Sequence, residues 1–538
     1  MSAQKAIPSI FNDVIGPVMV GASSSHTAGP VRIGRLVRQI AKGKITKANI
    51  IFDANGSFAQ TYQGQKTDKG LIAGLLGWDT DDLRMAQSAE VAEASGLLIR
   101  FGIEDLAATH PNTVKIMIED ETGSCNAITA LSLGGGRVEL TNINGVEVSI
   151  SGEYFDTIII LHDTSQSELN EIAQEIKLNI DVNQIDLQSE ADKSLIDVKS
   201  TEMLTPRIAR ITNHPKVQSV TTIRPIMPII PVKPHDLLFT TAKEMLQIAT
   251  EQQLKLWQIS ASYEADLGQK KPEEIYQQMI KIVNVMQRSL DQGLHGKLHL
   301  TDILRPQARY LLKAEEEGKL IPAHTLNTVI ALSMAMMEVK SSLGVIVAAP
   351  TAGACGVLPG AIFGTARILG AGNEEIAKAM LAAGGIGLLI AHHATFAAEL
   401  CGCQVECGAG SAMAAAGIVQ LVEGTAEQGI AAASIALQNV FGLTCDPVAN
   451  LVEVPCLGKN VLCAVNAVAS ANMALAGVDP VIPLDEVITS MYEVGLMLPR
   501  ELRCTGLGGL ATTKTSREIR TRLNQDLRER VNPKSTQS

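Results

Sequence analysis

The segment "IRPIMPIIPVKPHD" (Ile223–Asp236) carries Pro225, Pro228, Pro231 and Pro234. Prolines at that spacing fix φ and remove backbone donors, so neither a helix nor an inner strand runs through. The hydrophobic pattern differs on the two sides of this stretch, and that change decides the fold. Upstream, short Val- and Ile-rich runs alternate with helix-length segments and turn residues. Downstream of Leu237, apolar residues recur at three- and four-residue spacing. The chain therefore reads as multidomain. An N-terminal α/β domain at 1–152 and a smaller module at 153–228 precede a linker at 229–236 and a mostly α-helical domain at 237–530.

In the first domain, "ANIIFDANGSFA" predicts a strand entering a turn and "KGLIAGLLG" a helix. "TVKIMIED" and "RVELTNINGVEVSIS" predict strands, the latter folding back at Asn144-Gly145, a dipeptide suited to tight hairpins. Residues 153–228 read strand, helix, strand, strand, helix, strand. "QSELNEIAQEIK" supplies the first helix, capped by Ser165 or Ser167, and "TPRIARITNHP" the second. This βαββαβ order is that of a ferredoxin-like split βαβ module. Its exposed charged faces, without a Cys/His cluster, suit regulation or assembly.

Composition narrows the function. The 538 residues carry a net charge of −11 with no long basic stripe, which speaks against a nucleic-acid partner. The N-terminal residues lack the basic and apolar regions of a secretory leader, so a cytoplasmic location is expected. Ser341–Ala366 and Ala379–Ala398 are uncharged and long enough to cross a bilayer. Pro350 and Pro359 interrupt the first, His392 and His393 lie in the second, and neither has an aromatic belt. Both are expected as buried core helices, with no membrane partner. With aromatics at 3% and 45 glycines, the chain suits helices whose backbones approach closely.

Nine cysteines are present, and most cluster in the helical half. Cys401, Cys403 and Cys407 lie in "LCGCQVECGAG", and Cys445 and Cys456 bound "CDPVANLVEVPC". A mononuclear zinc site would show close pairs with histidine partners. Iron–sulfur clusters tolerate widely separated thiolates, because each binds a different iron. Buried cysteines also serve as small hydrophobes. Spacing alone leaves both a cluster and a packed core open.

A second group lies in "GASSSHTAGPVRIG" (Gly21–Gly34), where Ser23, Ser24, Ser25, His26 and Thr27 precede a helix expected near Pro30. Hydroxyls and backbone N–H groups at a helix start cradle carboxylates or phosphates, and the same residues also make an ordinary polar turn. Gly134, Gly135 and Gly136 offer either a backbone-lined anion pocket or a turn.

Taken in order, "SSSHTAGP", "GSFAQTYQG" with its following "TD", "HPNTVKI" and "SLGGGRVEL" resemble the β part of iron–sulfur-dependent bacterial L-serine dehydratases. "AAPTAGACGVLPG", "GCQVECG", "CDPVANLVEVPC" and "GGLATT" resemble the α part, and residues 153–228 fall where some members carry an ACT domain. The resemblance implies a β–ACT–α fusion, a [4Fe-4S] cluster on Cys403, Cys445 and Cys456, an iron open to substrate, and no pyridoxal phosphate. It implies a homodimer that takes a small amino- or hydroxy-acid substrate. Ser23, Ser24, Ser25, His26 and Thr27 would hold its carboxylate and amine or move a proton, and Gly134–Gly136 would add backbone donors. The loop of Pro350, Thr351 and Gly353 would line the pocket. Cys355, Cys401, Cys407 and Cys504 are left as core thiols. The chain ends "NPKSTQS", without the terminal cysteine of some members.

Several positions depart from the family pattern. Gln65, beside Lys66, replaces a usual histidine; Lys340 replaces an asparagine; and His392-His393-Ala394 replaces "KNA". Lys66, Lys340 and His393 therefore join Ser25 and His26 as candidates for acid–base or polar roles, on L-serine or a different small hydroxy acid; the same departures also fit a non-catalytic relative that binds a small acid. The turn "HDTSQSEL" (His162–Leu169) lacks the glycine of effector-binding ACT domains, which predicts a structural or dimerising module.

Overall fold

The β-branched runs upstream of the prolines are strands in the computed structural model, which describes residues 7–190, 193–204, 214–232, 237–298 and 303–531. β1 (Val18–Val20) pairs apart from the next six. β2 (Ile45–Asp53), β3 (Leu98–Glu104), β4 (Thr113–Asp120), β5 (Cys125–Gly134), β6 (Arg137–Ile143) and β7 (Val146–Ile150) form one sheet in the order β3-β2-β4-β5-β6-β7. β2 and β3 run parallel and the other pairs antiparallel. The predicted hairpin turns at Asn144 and Gly145, whose φ values of 54° and 93° match a turn that needs left-handed residues. β3 carries no clear alternation, because it is an edge strand with most residues partly or fully exposed.

Helices Gly29–Ile40 and Thr67–Leu75 pack on each other in this unit. A Cβ on Gly74 would lie 2.8 Å from Gly34 Cα, so the glycines let the backbones touch.

A second sheet contains β8 (Phe155–His162), β9 (Gln184–Glu190), β10 (Lys193–Ser200) and β11 (Val217–Ile223), in the antiparallel order β11-β8-β10-β9. These four strands, and the helix between the first two, are those the sequence pattern predicts. Helix Gln166–Asn179 starts with Ser165 as N-cap, in a capping box with Glu168. The expected second helix falls largely at 205–213, outside the described residues. The unbroken apolar run of β8 has a simple cause. Ile159 and Leu161 face the core of this module, while Ile158 joins the core of the six-stranded sheet. Lys199 is buried between Asp156 (2.8 Å) and Asp197 (2.7 Å) and donates to Ser149 O.

Two units result, and their boundaries differ from a single cut at the proline linker. One contains described parts of Met1–Asp13, Ser25–Leu237 and Glu264–Lys270, and the other Val14–Ser24, Leu238–Tyr263 and Lys271–Ser538. Both sheets therefore share a unit, since Leu195 and Ile223 of the small sheet enter the larger sheet's core. Glu264 belongs there because its carboxylate accepts from Ser9 Oγ (2.5 Å) and Ile10 N (2.8 Å). Val14–Ser24 belongs to the helical unit because β1 pairs antiparallel with β12 (Val345–Val347). Three-residue strands inside apolar runs leave no period to read.

In the helical unit, Cys407–Leu421 is buried along nearly its whole length among helices Asn373–His393, Ala426–Gln438 and Cys456–Leu475. The helical spacing expected downstream of Leu237 first appears as two helices, Ala242–Glu251 and Leu256–Leu267, separated where Gln253 takes φ 53°. Two apolar segments, Ala352–Leu369 and Asn373–His393, are long enough to cross a membrane, and 78% of the most apolar 18 residues of each is buried. Glycines permit this packing: a Cβ at Gly293 would lie 2.5 Å from Ala335 O. Gly293→Ala is expected to force helices Pro272–His295 and His324–Ser341 apart and to cost about 1–3 kcal/mol. Thermal unfolding measures this, and an unchanged Tm would show that the contact yields freely.

Candidate active site

The loop between Cys445 and Cys456 is clamped from several sides. Cys445 N donates to Leu502 O, and its carbonyl accepts from Cys504 N, both at 2.8 Å. Asp446 accepts from Lys459 Nζ (2.8 Å) and Leu510 N (2.9 Å), and Ala449 N donates to Ser516 Oγ (2.9 Å). Pro455 closes the loop, so that Cys456 is the first residue of helix Cys456–Leu475, where N–H groups favour negative charge. Cys403 opens a short turn after Gly402, whose φ of 72° and closeness to Leu443 O leave no room for a side chain.

These loops bring thiols together away from water. Cys403, Cys445 and Cys456 are all buried. The Cys403 and Cys445 sulfurs and a carboxylate oxygen of Glu406 lie within 4.8 Å of one another. Cys456 is next to them electrostatically: burial first, and then Cys403, raise its thiol above the usual range. The neighbouring Cys407 and burial push Cys403 up to about 12. Cys445 is raised by Cys403 and Cys504 before burial adds to the effect.

Glu406 was missed in the sequence, where it is one acid inside "QVECG". Thr351 Oγ1 donates to it at 2.7 Å, and Gly353 leaves it space, since a Cβ there would lie 3.2 Å from its Oε1. Burial, then the charge of Cys403, raise its carboxyl well above the ordinary range. Asn460 was also missed. Its side chain donates to Gly353 O (2.7 Å) and Cys456 O (2.8 Å) and accepts from Gly356 N (2.9 Å), tying the Thr351 loop to the cysteine helix. Ala352 N donates to Ser24 Oγ at 3.3 Å, and Ser23 and Ser24 are buried in this same unit. Pro350 and Thr351 are buried at the head of the loop.

Two cations flank the thiols. Lys340 is fully buried and donates to Val452 O of the cysteine loop, and its charge favours the ionised forms of Cys355, Glu406 and Cys456. Lys459 binds Thr444 O and Asp446; burial lowers its pKa, but Cys403 and Asp446 outweigh that and hold it high. His393 does not join them. It is exposed at the end of its helix and bonds Thr240 O at 2.8 Å.

The other unit contains a separate constellation. His26, 1% exposed, has Ser25 Oγ 2.8 Å from Nδ1 and Ser57 Oγ 3.0 Å from Nε2. Phe58 meets the ring edge-on at 5.2 Å. Ser132 Oγ donates to Ser25 O at 2.7 Å. Thr27 Oγ1 donates to Gln65 O and Thr67 Oγ1 to His26 O, each at 2.8 Å, so the Gln65–Thr67 turn is laced to the histidine segment. Lys66 sits in that turn at φ 64°. The next acid, Asp68, is mostly buried; its Oδ1 has no hydrogen-bond partner among the described residues, and burial raises its pKa. Gly134, Gly135 and Gly136 all have positive φ at the β5–β6 turn, and the carbonyl of Gly136 accepts from buried Arg32 at 2.7 Å. Gly136 O is thereby engaged.

Residues 243–511 match the model of the serine dehydratase alpha chain, and residues 9–97 match that of the beta chain. The chain belongs to the serine dehydratase family. It is a lyase that joins the counterparts of both chains in one polypeptide. The cysteine site falls in the alpha-like part, the His26 constellation begins in the beta-like part, and the four-stranded sheet falls between the two matches. The "Probable L-serine dehydratase, alpha chain" of Bacillus subtilis (strain 168) is 39% identical over 282 residues, covering 52% of this chain and 94% of the relative. The "Probable L-serine dehydratase, beta chain" of the same organism is 42% identical over 180 residues, 33% of this chain and 80% of the relative. "L-serine dehydratase 1" of Escherichia coli (strain K12) is 27% identical over 514 residues, 92% of this chain and 97% of the relative.

The raised thiols fix the sign of a pH effect. They are protonated in the metal-free protein, and a thiol must lose its proton to bind metal. Metal uptake is therefore expected to strengthen as pH rises and to release protons. Anaerobic calorimetry with ferrous ion in buffers of different ionisation enthalpy checks this. Uptake that does not change between about pH 6 and pH 9 would exclude these thiols as ligands.

Proposed function

We propose that this lyase dehydrates and deaminates L-serine to pyruvate and ammonia, with a [4Fe-4S] cluster on Cys403, Cys445 and Cys456. The observation that carries this reading is the buried gathering of Cys403, Cys445 and Glu406 within 4.8 Å, in a chain that matches both dehydratase parts. The donor set fits such a group. Its thiols lie on a clamped loop and at a helix start, and Lys340 and Lys459 oppose the negative charge that thiolates would bring. Bound there, the cluster would supply an iron as Lewis acid toward the substrate hydroxyl and carboxylate.

The chain's own residues supply the rest. Cysteine burial keeps water from the ligating sulfurs. His26, placed between two serine hydroxyls, has a donor nitrogen and an acceptor nitrogen when neutral and is suited to take the Cα proton. Ser23, Ser24, Ser25 and Thr27 are assigned to binding the carboxylate and amine, with backbone donors from the Gly134–Gly135 turn. Lys340 is assigned to charge compensation at the cysteine loop, and Lys66 to the polar edge of the substrate subsite. Thr351, with Pro350 and Gly353, holds Glu406 in place. The four-stranded sheet is read as an ACT-like module with a structural role. Its turn His162–Leu169 contains no glycine, and Asp163 there takes φ 45°. The working form is taken to be a cytoplasmic homodimer.

A different small hydroxy acid is the second reading, favoured by buried Gln65 in the turn laced to His26. Protein purified without air is expected to be brown and to release ammonia and a keto acid. Replacing Cys403, Cys445 or Cys456 by serine is expected to lower turnover by more than about 100-fold and to remove the colour. Colourless, iron-free protein that still turns over L-serine would refute the cluster. Gln65→His is expected to shift kcat/KM toward L-serine relative to L-threonine and other hydroxy acids, and an unchanged ratio would remove this residue from substrate selection.

A further inference from the structure

Cys504 is assigned no role by the reading above, yet its backbone is joined to that of Cys445. Cys504 N donates to Cys445 O, Cys445 N donates to Leu502 O, and the two segments form a parallel bridge at Cys445 and Arg503. The Cys504 side chain also packs against the buried group that contains Cys403 and Cys445. Cys504 takes φ 60°, which a side chain rarely adopts, and its surroundings hold it there. Arg503 is tied to Leu496 O and Leu498 O, Thr505 Oγ1 donates to Arg500 O, and Gly506 is pressed against the Asn450 side chain. Cys445 is buried, while Cys504 is partly open to solvent. A disulfide needs Cα atoms about 4.4–6.8 Å apart, and the backbone hydrogen bond between these residues brings the two chains close at this point.

We propose that Cys445 and Cys504 form a reversible disulfide when the site holds no metal, closing it to its cofactor. The consequence for the cofactor rests on Cys445 being a cluster ligand; formation of the disulfide does not. A small-molecule disulfide such as oxidised glutathione is the oxidant. The Cys504 thiolate attacks it, releasing one reduced thiol and leaving a mixed disulfide on Cys504. The Cys445 thiol then loses its proton and attacks the Cys504 sulfur, expelling the second thiol. Two protein thiols are oxidised, and one glutathione disulfide is reduced to two thiols. The accessible cysteine meets the oxidant, and the buried ligand resolves it.

The test uses the full chain, freed of metal under anaerobic conditions and treated with oxidised glutathione. Free thiols are then alkylated and the digest mapped by mass spectrometry. The expected product is a Cys445–Cys504 cross-link that dithiothreitol removes. Iron uptake on reconstitution is expected to be lost after oxidation and to return on reduction. Cys504→Ser and Cys504→Ala are expected to take up iron normally and to retain this after oxidation. A Cys403–Cys445 link, or full alkylation of Cys445 and Cys504 after oxidation, would overturn the proposal. So would variants that cannot take up iron before any oxidant is added, since Cys504 would then be a ligand. A cross-link in protein that never takes up iron would support the disulfide and refute the cluster.

Discussion

The cost of burying thiols that would have to ionise to hold a metal is the constraint on which the cysteine site of the helical unit depends. Thiolates in an apolar interior are unfavourable unless opposite charge and hydrogen-bond donors stand near them. The protein provides these in layers. Cys456 begins a helix, Lys459 is one turn further on, and Lys340 reaches the loop from another helix through Val452. Asn460 binds the carbonyls of Gly353 and Cys456 together. Burial and the neighbouring thiols outweigh these charges and hold Cys403, Cys445 and Cys456 above the ordinary thiol range.

Close helix packing makes this arrangement possible. Helix Cys407–Leu421 is buried almost entirely, and small residues let its neighbours approach. A Cβ at Gly417 would lie 2.9 Å from Ala379 O. The long apolar helices thus cover one another inside the unit, and the same lack of bulk keeps the cysteine loops close to the helix starts.

The His26 constellation follows a different logic. It relies on hydroxyls that bond backbone carbonyls: Thr27 to Gln65, Thr67 to His26 and Ser132 to Ser25. Such bonds fix the position of the imidazole. The Gly134–Gly136 turn beside it relies on positive φ, which glycine adopts at little cost.

The sequence by itself determined the strand and helix types on either side of the prolines, because periods of two and of three to four residues survive without tertiary context. It also singled out the thiols of "CDPVANLVEVPC" and "GCQ" and the "SSSHT" hydroxyls, through runs of reactive residues among glycines. Tertiary structure alone decided where the units divide, since β1 reaches β12 across more than half the chain and Glu264 is held by Ser9. It alone brought Glu406, Asn460 and Cys504 to the cysteine loop and left His393 on the surface. The reason is physical. Local patterns record which face of a segment is buried, but a single Glu, Asn or Cys has no period. Its partner is chosen by contacts between segments far apart in the chain.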